Sequence, residues 1–140
     1  TFWKMQVQWG FWREPVRLGF EESVYSTLHL LDPEDQRETY DELVWESGRA
    51  VFEIGYWFLD GDGAARVDET KVTCPTLVLG GGMDRMVPPS VVRRVARKYD
   101  HVATYKEYPS HAHWIIEEPG WENVAADVAE WLEGSPGGAT

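Results

Sequence analysis

Two residues of this chain have the type and surroundings to do chemistry together. Asp84 lies in Gly80-Gly-Gly-Met-Asp84-Arg-Met-Val-Pro-Pro89, and His113 lies 29 residues later in Tyr108-Pro-Ser-His-Ala-His113-Trp114. A carboxylate within reach of an imidazole holds the ring in one tautomer and stabilises the imidazolium that forms when the ring takes a proton. That pair is the orienter and base of a nucleophilic mechanism, not the nucleophile. Each residue alone signals little, since an Asp after a strand can cap the next helix and a loop His can satisfy backbone groups. His111 is a second candidate for the base. Asp100 falls at the wrong end of its helix to replace Asp84, and Glu107 and Glu117 read as surface acids.

The elements around these residues must bring them to one edge. Thr76-Leu-Val-Leu79 is a short apolar run that stops in three glycines, the pattern of a strand buried on both faces that ends in a sharp loop. Asp84 then sits just past the strand's C-terminal end, where open α/β sheets bind ligands. From Ser90 to Tyr99, Val91, Val92, Val95 and Ala96 recur at helical spacing with Arg93, Arg94, Arg97 and Lys98 between them. Pro88 and Pro89 at the start and cations at the end suit a helix. A second strand, Ala103 to Tyr108, delivers His111 and His113 to the same edge. The fold class is therefore α/β, with one βαβ unit as its centre.

With Gly-x-x-Asp-x-x-Val-Pro, the His113-Trp114 pair and Glu118-Pro-Gly-Trp121 before a last amphipathic helix, the chain resembles the α/β-hydrolase superfamily. There the acid follows the seventh strand, the base follows the eighth, and the nucleophile comes earlier. The resemblance covers nearly the whole chain but only the family's C-terminal half: the last two strands and their helices, preceded by cap-like helices. It implies Asp84 and His113 as catalytic residues. His113 is preferred to His111 because Ala112-His113-Trp114 matches the family's small–His–bulky loop, which leaves His111 as a neighbour near the pocket mouth. Neither a cofactor nor a metal is implied. No Gly-x-Ser-x-Gly elbow or oxyanion-hole segment precedes Asp84, and two strands cannot make a stable parallel sheet buried on both faces.

The resemblance thus leads to an expectation of a carboxylic ester hydrolase completed by an N-terminal half that carries the nucleophile, acting on a small apolar ester, with this chain inactive alone. An Asp nucleophile would instead make it an epoxide hydrolase or haloalkane dehalogenase type. A non-catalytic relative that self-associates through its strand edges and tryptophans is the reading from another class.

The rest of the chain is read around this centre. A net charge of −11 argues against nucleic acid and anionic membranes as partners. With one cysteine there is no internal disulfide or zinc pattern, and no apolar run reaches the roughly 20 residues of a spanning helix. A cytoplasmic protein is expected. Residues 1–70 read as a helical cap-like region, 71–134 as the βαβα core, and 135–140 as a frayed tail. Trp3, Trp9 and Trp12, in an aromatic opening segment with Phe2 and Phe11, are candidate lining for a substrate pocket together with Trp114. The same segment could simply pack against protein. Pro15 to Leu31 is predicted helical, and Asp32-Pro33 starts a helical region that runs to Leu59, bent or divided at Gly48. Ser47 lacks the strand and glycines of an elbow and reads as structural, as does Cys74, expected to be a buried small residue. In the last helix, Val124, Ala125, Val128, Trp131 and Leu132 form the predicted buried stripe. Asp60-Gly-Asp-Gly63 is a turn without the later acids of a calcium loop.

Overall fold

The computed structural model of the protein describes residues 10–59, 61, 63 and 66–134. Pro15 fixes an extended backbone, and β1 (Pro15–Val16) pairs antiparallel with β2 (Glu46–Ser47). The helix expected from Pro15 therefore begins only at α1 (Phe20–Ser23), and it widens at once into a π turn over Val24–Leu28. The Ser26 and Thr27 hydroxyls bond back to the carbonyls of Glu22 and Ser23, each at 2.7 Å. Such back-bonding competes with the helical ladder and loosens it. Asp32 is the N-cap of α2 (Pro33–Glu42), with Pro at its start.

The helical rhythm expected to continue to Leu59 breaks at Leu43, which is extended, and resumes in α3 (Gly48–Gly55). Ser47 caps that helix by accepting the Ala50 N–H at 3.3 Å. The break follows from close packing. A Cβ on Gly48 would lie 2.2 Å from the Phe11 carbonyl oxygen and 2.3 Å from that of Glu14. Only glycine lets α3 start against the N-terminal segment. Tyr40 anchors the other side, with its hydroxyl on the Leu18 carbonyl and the Arg17 guanidinium over its ring.

The core unit matches the predicted boundaries closely. β3 (Thr76–Gly81) and β4 (Ala103–Tyr108) pair in parallel, Thr76 opposite Ala103 and Gly81 opposite Tyr108. α4 (Pro89–Lys98) crosses between them, and α5 (Trp121–Gly134) follows the His113 loop. α4 covers the face of Val78 and Gly80, where a Cβ on Gly80 would sit 3.3 Å from the Val92 side chain. On the other face Leu77, Leu79 and Trp131 line an open groove.

Burial departs from expectation here. Thr76 to Leu79 are only half-buried and only Gly80 and Gly81 are buried, so β3 is not enclosed on both faces. Of the predicted stripe on α5 only Val124 is buried, while Ala125 and Leu132 are exposed. Two strands offer too narrow a platform to cover a fourteen-residue helix. Cys74 is exposed rather than buried, because it precedes the strand and lies beyond that platform. Among the described residues no helix is long and apolar enough to cross a membrane.

Polar ties hold the two core helices to β4. Asp127 of α5 accepts the Tyr108 hydroxyl at 2.8 Å and pairs with Lys106 at 2.5 Å. The Lys106 bond, and then the Tyr108 bond, hold its carboxyl below the usual range. Glu107 is held low by the Tyr105 hydroxyl first and by Arg93 of α4. Burial, aided by Asp127, pushes the Tyr108 phenol up to about 12. A depressed carboxylate stabilises the fold above its unfolded value and loses that effect as pH falls through the folded one. A raised phenol stabilises below its unfolded value and loses the effect as pH rises. Urea midpoints should therefore be level near neutrality, decline below the ordinary carboxylate values of 3.8 and 4.5, and decline again above 10. Asp127→Asn should flatten both limbs, and a parent-like profile in that variant would count against these ties.

Candidate functional site

The site forms where two loops leave the C-terminal ends of β3 and β4. Their backbones touch. The Gly82 N–H donates to the Tyr108 carbonyl and the Met83 N–H to that of His111, each at 2.8 Å. A Cβ on Gly81 would lie 2.0 Å from the Ala112 oxygen, and one on Gly82 would lie 2.7 Å from Pro109 Cα. The glycines that end the strand are thus required by this contact, and not by a positive φ.

Asp84 follows directly. One carboxylate oxygen, Oδ1, accepts the N–H groups of Met86 and Val87, both at 2.8 Å. The other, Oδ2, lies 2.9 Å from His113 Nδ1. An ionised carboxylate only accepts, so Nδ1 carries the proton and Nε2 is left with its lone pair. The Asp84 side chain is 7% exposed and that of His113 31%. The carboxylate is sheltered while the imidazole ring is partly open. Arg85 reaches back to the π turn, its guanidinium over the Tyr25 ring at 5.1 Å, and ties the acid loop to the cap-like region.

His113 and Trp114 form one wall of a cavity of about 380 Å³. Val16, Leu18, Leu43, Val44 and Val51 of the cap-like region line it opposite, and Met86 comes from the acid loop. The lining is mostly apolar, with Glu42 and Glu46 the carboxylates among it. This is the size and character of a small-molecule pocket. Of the candidate tryptophans, Trp114 lines this cavity and donates from its indole to Glu117 at 2.7 Å. Trp12 lines a separate hollow beside Phe52, whose ring centroid is 5.4 Å from its own. Trp3 and Trp9 lie outside the described residues.

His111 is not at the pocket mouth. It is buried, with Nδ1 3.2 Å from Glu118 Oε2, edge-on to the Tyr108 ring. Glu118 is the residue that motif reasoning passed over as part of a helix-entry run. It is 1% exposed and also accepts the backbone N–H groups of Ala112 and Trp114. The one sequence signal was a second acid beside Glu117 just before Pro119, which does not tell the buried acid from the exposed one. His29, from the turn after α1, also went unmarked. Burial holds it below the ordinary histidine value, and the Arg85 charge adds to this. No described residues form a group of three or more His, Cys, Asp or Glu able to hold a metal.

The two histidines should separate in stability. His111→Ala strips a donor from a buried carboxylate and should cost about 1–3 kcal/mol in urea unfolding. His113→Ala removes a partly exposed ring and should cost less. The reverse ranking would make His113 the structural clamp and reopen the choice of base.

No curated protein and no solved structure matches the chain. The sequence profile of the family described as serine aminopeptidase, S33, matches residues 3–120, which spans the cap-like helices, both strands and the loops of Asp84, His113 and Glu118. The chain belongs to this family of α/β-hydrolases.

Proposed function

We propose that this chain supplies the acid and base of a hydrolase triad, Asp84 and His113, while the nucleophile lies on an N-terminal half that completes the sheet. The carrying observation is the Asp84–His113 bond at 2.9 Å on the wall of an apolar cavity. In the assembled enzyme His113 Nε2 takes the proton of the nucleophile's hydroxyl as its oxygen attacks the acyl carbon. Nε2 then protonates the leaving group, and water attacks the acyl-enzyme by the same relay. The family's description names a serine enzyme, which favours a serine nucleophile over the aspartate of epoxide hydrolases and haloalkane dehalogenases. The lining favours a small, largely apolar acyl compound, an ester in the first instance. A second reading, an amide substrate with a free amino group, is favoured by Glu42 and Glu46 in the same lining, where a carboxylate could meet an ammonium.

The test is labelling by a serine-directed fluorophosphonate, followed by mass spectrometry. The isolated chain should take no label, because no serine of the sequence stands in a Gly-x-Ser-x-Gly elbow. Ser47 does join β2 to α3, but its hydroxyl caps that helix on the Ala50 N–H and no glycine stands two residues before or after it. Mixed with an N-terminal half, the partner should take the label and ester turnover should appear. His113→Ala should then lower kcat roughly a thousandfold or more, while His111→Ala keeps much of it once folded. A tag on any serine of this chain would place the nucleophile here instead.

A further inference from the structure

We propose that Glu118 is a positioning residue that sets where His113 stands relative to Asp84. Its carboxylate accepts the backbone N–H on each side of the base, Ala112 at 2.6 Å and Trp114 at 3.0 Å. The His111 ring is its third partner, at 3.2 Å. The peptide that carries His113 is thus held immediately before and immediately after it, in a loop that belongs to no helix or strand.

The hold passes to the acid loop as well, since the His111 carbonyl accepts the Met83 N–H next to Asp84. Two converging backbone donors and a ring demand a group with two acceptor oxygens. Glutamine has one, and would turn an N–H towards another N–H. A buried charge is weak evidence of net stabilisation, so a carboxylate that is 1% exposed is better explained by the geometry it imposes. The proposal rests on His113 as the base, and Glu118 itself touches no substrate-facing atom of that ring.

Nuclear magnetic resonance of the whole chain tests it. The Ala112 and Trp114 amides of the parent should exchange with solvent more slowly than the neighbouring loop amides of Ser110 and Ile115. Glu118→Gln, checked for folding by far-ultraviolet circular dichroism, should exchange at those two amides about tenfold faster or more. It should also lose or broaden the downfield His113 Nδ1–H resonance. Asp84→Asn serves as the control, and should lose that resonance while the two amides stay protected. Rapid exchange at Ala112 and Trp114 in the parent overturns the proposal even if Glu118→Gln does not fold. So does a Glu118→Gln chain that keeps the His113 resonance unchanged. A resonance indifferent to Asp84→Asn would instead sink the acid–base reading, and the amide data would remain to judge the hold of Glu118 on the loop.

Discussion

The functional end of this chain depends on one close approach, the backbone of Gly81 and Gly82 lying directly against the chain from Pro109 to Ala112. Neighbouring strands are held about 4.8 Å apart by their ladder, which ends where the strands end. Loops that leave such a pair would diverge as the strands twist. Here the Gly82 and Met83 N–H groups continue the pairing onto the Tyr108 and His111 carbonyls, so the loops stay in register beyond the sheet. Two residues at the tips of different strands can then meet at hydrogen-bond distance without any long side chain. A side chain at position 81 or 82 would push the loops apart by more than an Asp–His bond can tolerate.

Around that contact the two buried carboxylates are satisfied in a directional way. Asp84 spends one oxygen on its own loop and one on His113. Glu118 spends both on the base loop. Each carboxylate therefore fixes one loop from inside, and the backbone contact joins the two. Partly satisfied polar networks are costly, and fully satisfied ones specify a single arrangement. The contrast lies a few residues back along β3, where Leu77 and Leu79, with Trp131 of α5, line an open groove. The order of this unit is concentrated at the edge where the loops of Asp84 and His113 meet.

The sequence revealed those parts that rest on local rules. β3, α4 and β4 were readable because glycines and prolines punctuate them and their apolar residues keep a regular period. Asp84 and His113 were readable because both follow strands that end at one edge. What stayed hidden depends on partners distant in the chain. Ser26 and Thr27 carry no sign of whether they bond back to carbonyls, so the spacing predicts plain helix where a π turn forms. Leu43 ends a helix because β2 must pair with β1, Glu46 opposite Val16 and Ser47 opposite Pro15. Glu117 and Glu118 are the same residue type side by side, and only the fold of the loop turns one outward and the other in.

The cavity follows from the same economy of close contacts. Gly48 lets α3 begin against the carbonyls of Phe11 and Glu14, which anchors the cap-like segment by its backbone and leaves Val16, Leu43, Val44 and Val51 free to face the base loop. Arg85 draws the acid loop to the π turn at Tyr25, and this brings Met86 into the same wall. A cap held by backbone contacts on one side and by the acid loop on the other keeps its apolar lining opposite His113. The ring is thereby half-sheltered. Apolar side chains of the cavity stand near it, and part of the ring stays open. Asp84, already hidden beneath it, needs no access at all.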